Sequence, residues 1–424
     1  MNKILTLTLL LNSFSIWAQG PNLEKDYSAV ENKVIEWRRD IHQNPELSNR
    51  EFKTAEKIAK HLKSLGIEVQ TGVAVTGVVG LLKGDQPGKV VALRADIDAL
   101  PVTERNDLPY KSEVTSEFLG KSVGVMHACG HDTHTAILMG VAEVLSKNKD
   151  KIKGTVKFIF QPAEEGPPPG EEGGALLMVK EGVLTNPNVD AIFGLHINSQ
   201  TPVGTVKYKP GGSMASAQRF VINVKGKQTH GSQPWGGVDP ILISAKIIDG
   251  LQTIISRETE LINEAAVISV GKITSGVRSN IIPESAEMIG TIRTLDYEMQ
   301  KFINKRMEEM VPAIAKVYGG EATINIHTST AITYNDLDLT AQMAPTLKKV
   351  AGEENVTIHK AITGAEDFSY FQEKVPGFYY FLGGMTPGST ESFPHHTPDF
   401  KIDDSGLLLG VKTMTQLALD YLNM

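Results

Sequence analysis

The chain has 424 residues, a formal net charge of −7, and 41% hydrophobic and 21% charged residues. That length exceeds what one compact core usually takes, so two domains are expected, and the composition is that of a soluble globular chain. The acidic balance, with no Lys/Arg run, argues against a nucleic-acid-binding face.

The first predicted element is a leader. MNKILTLTLLLNSFSIWAQG carries one early charge, Lys3, then an apolar run, and closes on small or polar residues near Ala18. This is the layout of a secretory signal peptide over residues 1–18, and the run is too short and interrupted for a comfortable membrane span. It predicts a secreted or periplasmic protein with no membrane attachment after cleavage. The single cysteine rules out an internal disulfide and leaves an unpaired thiol in an exported chain.

Apolar residues at three- and four-residue spacing predict helix across 27–65, broken at Pro45 and closed by Gly66. GVVGLL at 77–82 and KVVALRADID at 89–98 predict strands, the second buried and turning acidic at its end. A helix is predicted from about His134 to Lys147. TVKFIFQPAEE and DAIFGLH predict two more buried strands, one ending in acid and one in histidine. This alternation predicts an α/β fold, an open-sheet catalytic domain with its site along the carboxyl edge. From about residue 213 the order becomes β-α-β-β-α-β, that of a ferredoxin-like α+β unit. Its helices are expected near 238–256 and 297–318, and its later strands near 266–274, 285–294 and 322–327. Residues 213–325 are therefore read as an inserted domain, and 19–212 with 326–424 as the catalytic domain.

HACGHDTH, at His127–His134, holds three of the eleven histidines and the only cysteine. A thiolate and an imidazole suit zinc or another borderline divalent metal. No CxxC and no further cysteine exists, which argues against a structural finger. A nucleophilic cysteine with a nearby histidine remains an alternative. QPAEE places Glu164 and Glu165 at the end of an apolar strand. Adjacent side chains point apart, so one carboxylate can bind metal while the other faces an attacking water. His196 ends DAIFGLH, and FPHHTPDF supplies His395 or His396. Cys129, His131, Glu165, His196 and one of that pair are too many ligands for one tetrahedral zinc with an open position. They suit two metals sharing a bridge.

In chain order, RADIDALP, HACGHDTH, FQPAEEG, GLH, KGKQTHGSQPWGGVDP, NIIPESAEMIGTIRTL, GAEDFSYF and HHTPDF resemble a metal-dependent amidohydrolase family, that of the aminoacylases and zinc carboxypeptidases. They are most similar to its branch of hippurate hydrolases, N-acyl-amino-acid amidohydrolases and plant auxin-conjugate hydrolases. The resemblance covers nearly the whole mature chain. It implies that Cys129, as the bridge, with His131, Glu165, His196 and His396 holds two divalent ions of zinc, manganese, cobalt or nickel. It implies Glu164 as general base and Asp96 as an aspartate supporting the ligands. Arg94 stands where other branches carry a ligand histidine. The resemblance further implies that His230, in the inserted domain, stabilises the oxyanion of an active site, in several relatives that of the partner subunit. Asn280 and Arg293 match positions near the substrate's carboxylate, and the inserted domain would form a homodimer. The implied substrate is an N-acyl or N-aroyl amino acid. Alternatives are a dipeptidase or carboxypeptidase, and a periplasmic ligand-binding protein without turnover. His127, Asp132 and His134 are read as orienting or packing groups, and GAEDF as supporting structure.

Overall fold

The run Val90–Ala95 has no alternation of wet and dry positions, and it forms the buried half of the strand Gln86–Asp96. The computed structural model describes residues 23–424, so the leader-like segment 1–18 lies outside the described residues. Gln86–Asp96 sits in an eight-stranded sheet with the spatial order Glu68–Val73, Gly77–Lys83, Lys153–Gln161, Gln86–Asp96, Ala191–Pro202, Gly377–Met385, Val206–Tyr208, Val356–Ile358. The four central strands, Lys153–Gln161 through Gly377–Met385, run parallel, so their carboxyl ends open on one edge. Parallel neighbours need crossover connections, and these lay cover on both faces. Helices Glu24–Gln43, His131–Lys147 and Leu407–Leu422 share one apolar core with the sheet. The short helices Gly174–Lys180 and Ser369–Gln372 close the other. Among the described residues, no helix is long and apolar enough to cross a membrane.

The second unit is a four-stranded antiparallel sheet in the order Ala266–Ser275, Ser285–Thr294, Ala217–Lys225, Glu321–Thr330. Helices Pro240–Thr253 and Tyr297–Val317 cover one face, as in a ferredoxin-like fold, around Phe220, Ile247, Ile292, Ile303 and Met307. Both helices start where an aspartate caps them: Asp239 accepts from Ile241 N and Leu242 N, and Asp296 accepts from Met299 N. The expected boundary at 325 falls inside a strand. Pairing of Ala217 with Thr330 carries that strand on to Thr330.

Two other boundaries differ from the sequence reading, and both matter for the site. The buried helix begins at His131 rather than His134, because Gly130 enters it at φ +93°. A Cβ on Gly130 would lie 2.3 Å from Ile197 Cγ2, so glycine alone fits this entry. The strand carrying His196 does not end there but continues to Pro202 against Gly377–Met385. On its other side, pairing with Gln86–Asp96 stops at Gly194. His196 therefore lies past the last paired position on that side and lines a cleft.

Candidate metal centre

Cys129 and His131 flank Gly130, at the amino end of a helix buried along almost its whole length. The Cys129 thiol is 7% exposed and lies 3.4 Å from His196 Nε2 and 3.2 Å from His396 Nε2. His131 directs Nδ1–H to the Asp98 carbonyl at 2.9 Å and to its carboxylate at 3.1 Å. His196 donates Nδ1–H to Ile197 O at 2.6 Å. Both rings thus present Nε2 inward. An Nδ1–H tied to a backbone carbonyl or carboxylate is the usual support of an imidazole ligand.

Glu164 and Glu165 follow the strand Lys153–Gln161 through Ala163, whose φ of +52° turns the chain sharply at the strand end. Their backbone amides both donate to Asp98, Glu164 N to Oδ1 and Glu165 N to Oδ2, each at 3.1 Å. Glu165 Oε1 reaches 3.1 Å from His396 Nε2. Glu164 Oε2 stands 3.8 Å from His131 Nε2, with its carboxylate 10% exposed. Burial, reinforced by Glu366, Glu165 and Asp367, pushes Glu164 well above an ordinary carboxyl, and Arg94 offsets part of this.

The adjacent histidines of FPHHTPDF separate cleanly. His396 adopts φ +62° with its N–H on Ala128 O at 2.8 Å, and its imidazole meets Cys129 and Glu165. His395 has both nitrogens occupied, Nδ1 on Cys129 O at 3.2 Å and Nε2 accepting from Ser199 N at 3.3 Å. Burial holds His395 down at about 4, in the neutral form those two contacts require.

Two donor sets result. Cys129, His131 and His196 form one, and Cys129, Glu165 and His396 form the other, each with donor atoms within 4.8 Å of one another. Cys129 belongs to both. The chemistry fits a pair of divalent cations: one thiol, three imidazoles and a carboxylate, with His131 Nε2 buried and without a hydrogen-bond partner. A third grouping, His131 with Glu164 and Glu165, links the two sets, and two other acidic groupings fit less well. His134 uses both nitrogens, donating from Nδ1 to Asp96 at 2.6 Å and accepting from Ile197 N at 2.8 Å. Glu366 and Asp367 already hold a cation, the guanidinium of Arg94, at 2.9 and 3.1 Å.

The remaining sequence candidates are placed differently. Asp96 binds Arg94 and His134 and makes no hydrogen bond to a donor of either set, whereas Asp98 holds His131. Asp96 nevertheless stands 3.9 Å from His131 Nδ1, and His134, which it holds, packs its ring 4.6 Å from that of His196. His230 is exposed in the strand pair Thr229–His230 with Ile281–Ile282, and its Nδ1 accepts from Ser232 Oγ at 2.7 Å. Asn280 is its neighbour, through Gly231 N to Asn280 O at 2.8 Å. Arg293 lies on the second sheet beside Arg219 and Thr291. None of these three lines the cleft of about 510 Å³ that contains Cys129, Glu164, Glu165, His196 and His396. Asp98 is not singled out by the sequence, whereas Glu366 and Asp367 fall in GAEDF, read there as supporting structure, and both pair with Arg94. Their only sequence signals were the second acid of RADID and the acid pair of GAEDF.

The chain matches Peptidase family M20/M25/M40 over residues 92–420. It is 41% identical over 403 residues to thermostable carboxypeptidase 2 of Saccharolobus solfataricus, covering 95% of this chain and 98% of that protein. It is 38% identical over 395 residues to the N-acetylcysteine deacetylase of Bacillus subtilis, covering 92% and 97%. A solved Bacillus subtilis structure described as a dinuclear metal binding peptidase matches with a TM-score of 0.77 at 36% identity, over 93% of this chain and 99% of that one.

Proposed function

The chain belongs to Peptidase family M20/M25/M40 and is a metal-dependent hydrolase; on that premise we propose that it cleaves the amide bond of N-acyl or N-aroyl amino acids, and that Cys129, His131, Glu165, His196 and His396 would hold the two divalent cations it uses. The observation that carries the reading is the shared thiol between two donor sets, with a buried carboxylate, Glu164, beside them and outside both. When bound, the cations supply Lewis acidity, making a water acidic and polarising the carbonyl oxygen.

Glu164 takes the proton of the attacking water and passes it to the departing amine. Burial and the neighbouring carboxylates raise its affinity for protons above that of an ordinary carboxyl, the direction a proton acceptor in this role needs. Asp367 N, 3.4 Å from Glu164 Oε1, helps to aim the carboxylate. Met214, Ile362 and Phe381 add apolar surface to the lining of the same cleft, which supports an apolar acyl group. His230 and Asn280 are assigned to the oxyanion and the substrate carboxylate, brought to a cleft by movement of the second domain or from a partner subunit; Arg293 is assigned to the carboxylate as well. The homodimer through the second domain is supported by exposed Val267 and Ile273 on its edge strand Ala266–Ser275. Export to the periplasm or outside the cell is supported by the signal-like sequence alone.

Identity to a carboxypeptidase favours peptides as a second substrate class. The deciding experiment is chelation, reconstitution with Zn²⁺, Mn²⁺, Co²⁺ or Ni²⁺, and assay against a panel of N-acetyl, N-benzoyl and dipeptide substrates. N-acyl amino acids turned over faster than dipeptides support the reading, and the reverse order replaces it with a peptidase. Activity that survives chelation and dies on thiol alkylation would instead make Cys129 a nucleophile.

A further inference from the structure

Two recesses meet at the turn that carries Glu164 and Glu165. The first is the cleft of about 510 Å³ described above. The second, of about 470 Å³, shares Glu164, Glu165, Thr330 and Asp367 with it. Cys129, His196 and His396 line the first alone. The second falls within the size range of small-molecule sites, roughly 300–1,000 Å³.

Its walls are tied in place from outside. In the loop 166–173, Glu171 accepts from Arg50 at 2.6 and 3.1 Å and from Asn49 Nδ2 at 3.0 Å. Asn49 Nδ2 also donates to Glu172 O at 3.0 Å. The helix Gly174–Lys180 brings Leu176 and Leu177. It starts against Asp367, whose Oδ2 accepts from Ala175 N at 2.8 Å and would lie 2.5 Å from a Cβ on Gly174. Tyr370 stands across from the second unit with its O–H on Ser329 O at 2.9 Å.

Pro167, Leu176, Leu177 and Tyr370 make the lining apolar, and Leu176 leaves 40% of its surface open. Among the described residues that line the recess, Lys180 is the only cation, and it already pairs with Glu172. Glu171 and Asp367 have their own partners in Arg50 and Arg94. An apolar side chain entering here covers apolar surface. A carboxylate meets several acids and no free cation, which disfavours it.

The direction of a bound amide follows from Glu164. On the hydrolase reading, the carbonyl lies over the thiol and imidazole donors, and Glu164 returns a proton to the departing nitrogen. The donors line the first recess alone, whereas Glu164 lines both. The group beyond the nitrogen is thereby directed to the second recess. We propose that this recess seats the side chain of the leaving amino acid and selects apolar side chains over acidic ones. The proposal rests on the hydrolase reading and names its leaving group.

The test measures kcat/KM of metal-reconstituted wild type, Leu176→Arg and Leu176→Ala on N-acetyl-L-leucine, N-acetyl-L-glutamate and N-acetylglycine. Fold is checked by circular dichroism and metal content. Wild type should favour leucine over glutamate by about 10-fold or more, as for a pocket that sorts by apolar contact. Leu176→Arg removes apolar surface and adds a cation, so this preference should fall by about 10-fold, with glutamate gaining on glycine. Leu176→Ala should lower leucine relative to glycine without raising glutamate, and it decides the matter if Leu176→Arg does not fold. The ratio of N-benzoylglycine to N-acetylglycine should move less than these ratios. If it moves more, the recess takes the acyl group and the proposal is overturned. A wild type that does not prefer leucine to glutamate overturns it, as does a preference that the folded variants leave intact.

If wild type cleaves dipeptides instead, the N-acyl reading fails but the recess does not. Gly-Leu, Gly-Glu and Gly-Gly then replace the three substrates, because the leaving residues are the same. If no amide is cleaved, calorimetry with N-acetyl-L-leucine and N-acetyl-L-glutamate on Co²⁺-loaded wild type and Leu176→Arg decides. There too, no binding, or a preference untouched by Leu176→Arg, overturns the recess.

Discussion

His396 Nε2 lies 3.2 Å from Cys129 Sγ, a contact across 267 residues of chain, while His395 beside it sets Nδ1 3.8 Å from the same sulfur and turns both nitrogens to backbone groups. The two histidines therefore have separable tasks. His396→Ala should lose on the order of one bound ion per chain and nearly all turnover, as expected when one donor of a small set is removed. His395→Gln should keep both ions and lose stability instead, through the contacts to Cys129 O and Ser199 N. Metal content after dialysis decides the matter, and the opposite pattern would exchange their roles.

Glu164→Gln removes the proton shuttle without removing a member of the two Cys129-centred sets. Metal content should stay at the wild-type level while kcat drops by about 10²–10⁴-fold, the range of general acid–base catalysis. Full activity in this variant would assign the base elsewhere.

Metal loading should release protons. Burial opposes charge on His131, but Asp96 and Asp98 overcome it and raise the imidazole to about 10. Burial, with Glu165 and Glu164 nearby, pushes the Cys129 thiol well above its ordinary value. At pH 7.5 the metal-free protein carries both protons, and ligation requires both to leave. Calorimetry in two buffers of different ionisation enthalpy should report about two protons released. Apparent affinity should rise with pH across the neutral range. No proton release would mean that the donors are already deprotonated before metal arrives.

His127 should weaken the metal-free protein in acid. It is 1% exposed, neither ring nitrogen has a hydrogen-bond partner among the described residues, and burial lowers it from 6.5 to about 4. An unfolded chain takes up that proton near pH 6.5, but the folded protein refuses it until about 4. Between these values the unfolded state binds more protons, so stability falls as pH falls, by about 3 kcal/mol in total. The difference between wild type and His127→Gln, followed by denaturant melts from pH 7 to 4, isolates this contribution. Parallel curves would show that His127 adds no acid sensitivity.

Much of the scaffold was legible because its signals are local. Apolar runs without alternation marked the buried strands that carry Asp96 and His196 and the one that leads into Glu164, and the β-α-β-β-α-β order marked the second unit. Boundaries were less legible where a distant contact set them. The helix starts at His131 because Ile197 crowds Gly130, and the strand passes His196 because Gly377–Met385 pairs with it. Neither partner is near in sequence. His230, Asn280 and Arg293 show the same limit from the other side, since a motif match carries no statement of which cleft a side chain enters.

By itself, the sequence determined the chemistry on offer: one thiol, a few imidazoles and an adjacent carboxylate pair, each at the end or edge of an element whose burial its own pattern required. Only the tertiary structure decided how those groups are used. It set Asp98 rather than Asp96 behind His131, turned His396 inward and His395 onto the backbone, and gave Cys129 to both donor sets. The physical reason is that orientation at a metal centre depends on hydrogen bonds made by the far side of each ligand. Those bonds come from parallel strand ends that the fold brings to one edge of the sheet.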